Sequence, residues 1–230
     1  MSDRHYIISS FPKLETTHWK TLLSHLNSYN IYHQGNKDML PKNILFKNIT
    51  YTKRSGHNIS DYLFFIIKNY PFFPEEIGFI KSNVFPRHID LLTFKKRIKN
   101  EAFVPLYSEK NTFNVKKNFF GNFIFQQIAP GICLEISNNW YIKNRSVGKY
   151  YPKLENLYKV IVRNGVFPKY IPMVPGANMI IKSVKILDRS KSFYEDLYNS
   201  CTYQDPPSPM PVEAWHLERM MLYLFHFQKF

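Results

Sequence analysis

His5-Tyr6-Ile7-Ile8-Ser9-Ser10-Phe11, near the start of the chain, carries the pattern on which the fold turns. Tyr6, Ile7 and Ile8 form a short apolar run that ends in two serines, which predicts a first strand. Working outward, Trp19, Leu22, Leu23 and Leu26 fall at helical spacing behind Thr16-Thr17, so a helix is expected from about Glu15 to Tyr29. Asn30 to Gln34 reads as a second strand stopped by Gly35-Asn36, and Lys42 to Thr52 holds a third with its flanks. Gly56-His57-Asn58 opens a helix from about Ser60 to Tyr70, capped by Ser60 or Asn58. Ile77-Gly78-Phe79-Ile80 makes a fourth strand, ending in Lys81-Ser82-Asn83. Strand, helix and strand alternate over this segment, which predicts an α/β domain with a largely parallel sheet.

Ligands of such sheets bind beyond the carboxyl ends of the strands. The positions to question are therefore Ser9 and Ser10, Gly56 to Asp61, and Lys81 to His88.

Further along, Leu91 to Asn100 reads as a basic amphipathic helix and Ala102 to Tyr107 as extended chain. Ser108 to Lys153 is irregular, aromatic and rich in Asn, and is expected to form short helices and turns walling or covering a site. Leu154 to Val162 reads as helix, Met173 to Lys182 as strand, Ser190 to Ser200 as helix and Val212 to Phe227 as the last helix. The proline-rich segment Asp205 to Pro211 sets the entry of that final helix.

Composition sets outer limits. The 230 residues suffice for one domain with a substantial core, and no low-complexity linker divides them. Cys133 and Cys201 have neither C-x-x-C spacing nor a histidine pattern, so they read as reduced, buried thiols. No signal peptide and no apolar run near the roughly 20 residues that span a bilayer is expected, which points to a soluble, cytoplasmic protein. The net charge of +14 suits a nucleotide diphosphate, an anionic membrane surface or non-specific nucleic acid. Its lysines and arginines are scattered in groups of one to three (Lys95-Lys96-Arg97, Lys116-Lys117) without a continuous tract, so no stable nucleic-acid complex is expected. Walker, dinucleotide, zinc-protease and nucleophile-elbow motifs are all absent from the sequence.

Gly56 to Leu63, Asn69-Tyr70, Phe79 to Asn83, Phe85 to His88, Gly176 to Ser183, Phe193-Tyr194 and Glu218-Arg219 together resemble a glycosyltransferase-like family of bacterial and viral proteins. The resemblance spans roughly residues 30 to 225. Where that family commonly shows Gly-Arg-Glu, this chain has Gly56-His57-Asn58, so no role is carried over from that arginine or glutamate. A wider similarity is to nucleotide-sugar transferases of the GT-A fold. It implies a GT-A-like (Rossmann-like) mixed, largely parallel sheet flanked by helices in a single domain, 1–230. Residues 1–107 would form the nucleotide-sugar-binding half and 108–230 the acceptor-binding half. The setting it implies is the cytoplasm of a bacterium or a virus-infected cell, with membrane-peripheral placement as a variant.

The implied activity is transfer of a sugar from a UDP- or GDP-linked donor to a glycan or lipid-linked acceptor. GT-A enzymes hold a metal with Asp-x-Asp at a strand end where this chain has Lys81-Ser82-Asn83. A hard divalent cation wants charged oxygen ligands, so metal is disfavoured and no cofactor is expected. Lys81, Arg87 and His88 would instead stabilise charge on the leaving diphosphate, or form a solvated basic loop. Ser9, Ser10, Gly56, Asn58, Asp61 and Asn83 complete the expected donor site. Asp61 reads either as a ligand acceptor or as a first-turn carboxylate supporting its helix. Gly176, Asn178 and Trp215 are expected at the acceptor, with Gly176 alternatively ending a turn after Pro175.

A carboxylate base is expected on the last helix. Glu213 looks like the base-bearing glutamate of metal-independent branching and xylosyl transferases, or else is favoured near a helix start by the dipole. Glu218 lies some 140° around the helix from Glu213, so the two cannot share a face. The competing readings are a basic nucleic-acid-binding module with aromatic stacking platforms and an inactive transferase-fold scaffold.

Overall fold

The first strand lies at the centre of the molecule, parallel to a neighbour on each side. Tyr6 to Ser10 pair with Tyr29 to His33, and Arg4 to Ser9 pair with Glu76 to Lys81. The computed structural model describes residues 3–11, 18–35, 38, 40, 42, 44–52, 56–100, 103–108, 116–117, 123–137, 148–163, 165–204 and 210–226.

Along the first half run β1 (Arg4–Ser10), α1 (Trp19–Leu23), β2 (Tyr29–His33), β3 (Ile49–Tyr51), α2 (His57–Asn69) and β4 (Glu76–Lys81). Then come α3 (Val84–Arg87), α4 (Leu91–Arg97), β5 (Val104–Pro105), β6 (Lys116–Lys117), β7 (Phe123–Ala129) and β8 (Ile132–Ile136). The chain continues with α5 (Leu154–Ile161), β9 (Tyr170–Met173), a 3-10 turn at Pro175–Ala177, β10 (Met179–Lys182), α6 (Val184–Leu187), α7 (Lys191–Thr202) and α8 (Val212–Phe225).

Six strands form one sheet in the order β3-β2-β1-β4-β10-β5. The first four are parallel, β10 runs antiparallel to β4, and β5 runs antiparallel to β10. The fold is thus mixed α/β with a largely parallel sheet and helices on both faces. Alternation along the strands divides the core in two. Ile7, Ile77, Phe79 and Ile181 face α2, α7 and α8. Tyr6, Ile8, Ile80 and Ile180 face α1, α3 and α4, where Trp19, Leu22, Val84 and Phe94 cover them. Gly78 is opposite Tyr6, and a Cβ there would come within 2.3 Å of the tyrosine ring. The absent side chain is what lets that ring lie over the sheet.

Several expected elements are corrected. The first helix is only Trp19–Leu23, because Tyr29 already pairs with Tyr6 as the start of β2; its expected start at Glu15 to Thr17 lies outside the described residues. The second helix begins at His57 with Gly56 as its N-cap, and neither Asn58 nor Ser60 caps it. The expected strand from Met173 to Lys182 is broken by Gly176 at φ +77° and Ala177 at φ 53°, left-handed positions that turn the chain. Its halves enter different sheets.

The expected wall of short helices and turns between Ser108 and Lys153 instead contains three strands, β6, β7 and β8, which with β9 make a second, antiparallel four-stranded sheet. Phe119, Phe120, Trp140 and Tyr141 lie outside the described residues. The alternation in β8 was masked by its chemistry. Cys133 and Glu135 are the buried positions, and Glu135 is an acid pointing inward. Its partner is Arg219 of α8, with Nε donating to Oε2 at 2.6 Å. Breaking a buried pair of this kind by deleting one partner costs about 3–5 kcal/mol. The pair fastens the second sheet to the last helix. Cys133 and Ile171 join the same apolar cluster as α8.

Candidate functional site

The strand order turns at β1. From β1 the chain winds through β2 to β3 on one side, and β4 lies on the other. The crevice at such a switch point, beyond the carboxyl ends of the strands, is where open α/β sheets place ligands. A pocket of about 190 Å³ opens there, lined by Phe11, His57, Lys81, Asn83, Arg87, His88, Trp215 and Glu218. Phe11 follows β1, Lys81 and Asn83 end β4, and His57 begins α2. Arg87 ends α3 and His88 follows it, and α8 crosses above with Trp215 and Glu218.

Lys81 has the same side-chain parity as Ile77 and Phe79, so it points to the α8 side of the sheet. Its Nζ lies 3.3 Å from Oε2 of Glu218, and both side chains are at least nine-tenths buried. The Lys81 N–H donates to Asn178 Oδ1 at 2.7 Å, which fixes the backbone where the strand ends. Burial opposes ionisation of Glu218, yet the nearby cations, Lys81 foremost and Arg219 with it, outweigh it and hold its pKa down to about 2. Burial in turn lowers the pKa of Lys81, against the pull of Glu218.

Two histidines in the pocket are held neutral. Burial, aided by the charge of Lys81, lowers both His57 and His88 to about 3. His57 adopts φ 58°, a left-handed conformation uncommon for a side chain of this size. Its ring stacks on Phe11 at 4.9 Å and on Trp215 at 5.5 Å, forming a three-ring stack along one wall. His57 Nδ1 stands 3.5 Å from Glu218 Oε2. Strained backbone at the mouth of a site persists only where its surroundings hold it.

Several polar atoms here lack a protein partner among the described residues. His88 Nε2, Asn83 Oδ1 and Ser82 Oγ are buried without a hydrogen bond, as is Asn178 Nδ2. Buried polar groups are nearly always satisfied, so such a cluster beside a cavity is what a polar ligand or ordered water would complete. Among the described residues no group of three or more His, Cys, Asp or Glu side chains converges to hold a metal ion.

The expected residues divide into three sets. Lys81, Asn83, Arg87, His88, Trp215 and Glu218 line the pocket. A second set packs beneath it. Asn58 Nδ2 donates to the Gly176 carbonyl at 3.1 Å, and a Cβ on Gly176 would meet His88 Cε1 at 2.6 Å. Gly56 is packed against Cys201, where a Cβ would lie 2.7 Å from the Cys201 carbonyl oxygen. Ser9, Ser10 and Asp61 belong to buried networks between strand ends. The Asp61 carboxylate accepts from Ser9 Oγ, from Gln34 Nε2 at 2.8 Å and from Thr52 Oγ1 at 2.9 Å, which ties the ends of β1, β2 and β3 to α2. Ser10 Oγ meets His33 Nδ1 at 3.1 Å.

Glu213 stands apart. It is fully buried and accepts from the Tyr150 N–H at 2.8 Å, with Tyr151 N–H and Tyr203 Oη each at 3.4 Å. It does not line the pocket. The pocket residue not singled out from sequence is Phe11, whereas His57 lies inside the flagged segment Gly56 to Asp61. Phe11 lies directly beyond β1, but an aromatic carries no anion-binding signature by itself.

No family model, no curated protein and no solved structure matches this chain.

Proposed function

We propose that this protein is a nucleotide-sugar glycosyltransferase of GT-A-like architecture, working without a metal. The observation that carries the reading is the meeting of Lys81, Arg87 and Glu218 in one pocket at the β1–β4 switch point. The approach through α2 into β4, ending in Lys81-Ser82-Asn83, has the helix-into-strand layout of those transferases. In this reading cations take over the part that a metal plays in those transferases. Positive charge fixed in a site screened from water stabilises an anion as it develops.

The pocket volume is below the several hundred Å³ of whole-ligand sites. It fits the diphosphate and part of the sugar, with the nucleoside extending beyond it. In the reaction proposed, an acceptor hydroxyl oxygen bonds to the anomeric carbon as that carbon's bond to the diphosphate oxygen breaks. The electron pair leaves with the diphosphate, whose new charge faces Lys81 and Arg87. The hydroxyl proton passes to Glu218, the carboxylate of the pocket, rather than to Glu213. The neutral ring of His88 and the amide of Asn83 offer hydrogen bonds to sugar or phosphate oxygens, and Trp215 offers a stacking face to the acceptor.

The test is calorimetric titration with UDP, GDP, pyrophosphate and a single-stranded oligonucleotide, all in excess EDTA. A nucleoside diphosphate is expected to bind, and Lys81→Ala or Arg87→Ala to weaken it by about 1–3 kcal/mol, the range for charge-assisted hydrogen bonds. Incubation with UDP- and GDP-sugars should then release the diphosphate. Binding of the oligonucleotide alone, insensitive to both variants, would overturn the transferase reading in favour of a nucleic-acid module.

A further inference from the structure

The pocket sets its own carboxylate a problem. A base must accept a proton, and Glu218 is held firmly ionised by the cations around it. The nearest is Lys81, whose Nζ reaches Oε2 at 3.3 Å. His57 approaches the same oxygen at 3.5 Å, Arg219 is its neighbour on α8, and Arg87 and His88 complete the ring of basic groups. Burial keeps both histidines neutral, and Arg219 is turned away to its bidentate contact with Glu135. The Lys81 ammonium, on a flexible stem with its backbone pinned by Asn178, is the close cation able to reorient.

We infer that Lys81 is a shared cation: it neutralises Glu218 in the empty pocket and turns to the phosphates when a diphosphate enters, leaving Glu218 free to take the acceptor's proton. This rests on the transferase reading above and deepens it. Two anions compete for one buried ammonium, and the diphosphate carries the greater charge. A carboxylate that loses its counter-ion in a buried site, with a new anion beside it, becomes a stronger base. The base is therefore switched on by the donor. The same exchange explains why a site built for an anion contains a carboxylate at all. With the pocket empty, an unpaired buried Lys81 would bear the full desolvation penalty.

The experiment uses pyrophosphate as probe and the full chain. The Glu218 carboxyl is followed by carbon NMR during pH titration, with and without saturating pyrophosphate. Its midpoint is expected to rise by about one pH unit or more on binding. In parallel, pyrophosphate affinity is measured for wild type, Glu218→Gln, Lys81→Gln and the double variant, with thermal melting as a check of folding. Glu218→Gln is expected to tighten pyrophosphate about tenfold in the presence of Lys81 and less than about twofold in its absence, a coupling that a double-mutant cycle isolates. If pyrophosphate binds but the Glu218 midpoint stays put, or if the two substitutions are additive, the shared cation is refuted while the anion site stands. If pyrophosphate fails to bind at all, both this inference and the site reading fall. The NMR arm needs no variant, so a misfolded substitution cannot shelter the idea.

Discussion

Glu213 and Glu218 leave the same helix in different directions: the first accepts the Tyr150 N–H at 2.8 Å, and the second meets Lys81 Nζ at 3.3 Å in the pocket. Five residues of helix separate them by some 140°, so one carboxylate is committed to a loop and the other to the cavity. On the proposed reading the base role expected for Glu213 passes to Glu218. Glu218→Gln is predicted to reduce sugar transfer by about 10²-fold or more while the fold survives. Glu213→Ala is predicted to lower stability by about 1–3 kcal/mol, through the buried donors it strands, with little change in nucleotide affinity. Transfer assays and denaturant melts on both variants decide it; loss of transfer in a fully stable Glu213 variant would restore the opposite assignment.

Two buried acids give stability opposite pH dependences. Burial raises Asp61 from 3.8 to about 7, with hydrogen bonds from Ser9, Thr52 and Gln34 pulling the other way. Its folded pKa is above the unfolded one, so its contribution is full below about pH 4 and is lost as pH rises through 7. Glu218 has its folded pKa depressed from 4.5 to about 2, so its contribution is full above about pH 4.5 and is lost as pH falls towards 2. Urea melts across this range should show Asp61→Asn flattening the upper limb and Glu218→Gln flattening the lower one. An unchanged upper limb in Asp61→Asn would mean that the native carboxyl titrates normally.

Gly176→Ala is expected to cost about 1–3 kcal/mol, because the position holds φ +77° and its new Cβ would meet His88 Cε1 at 2.6 Å. The same push moves a ring of the pocket, so nucleotide affinity should fall together with the melting temperature. A variant that loses stability but keeps full affinity would show that His88 does not touch the ligand.

Metal removal is the last test. On the proposed reading Lys81 and Arg87 supply the positive charge that a metal would otherwise bring, so turnover is expected to persist in excess EDTA. Abolition by EDTA and rescue by magnesium or manganese would redirect the search to carboxylates such as Asp61 and Asp90. Asp90 at present caps α4 by accepting the Thr93 N–H at 2.9 Å.

The first half of the chain was legible because its strands are short apolar runs that end in polar residues. Tyr6 to Ser10, Ile31 to His33 and Ile77 to Lys81 announce both the parallel sheet and the edge where ligands belong. From that rule alone Lys81, Asn83, Arg87 and His88 could be placed near a site, and all four line the pocket. Helical periodicity likewise separated Glu213 from Glu218. It could not say which of them faces the cavity, since both are buried and the answer depends on where β4 and the Tyr150 loop meet α8.

The second sheet was hidden because its inward positions include Glu135, an acid whose burial makes sense only opposite Arg219, 84 residues away. Phe11 was hidden for a related reason: the stack of Phe11, His57 and Trp215 is a contact between three segments, and no local pattern encodes it. Local sequence thus determined most elements around the sheet's parallel half and the edge at which the pocket opens, which follow from periodicity and strand-end chemistry. Which charges share a pocket was set by the folded arrangement, because ion pairing and aromatic stacking act across space between residues far apart in the chain.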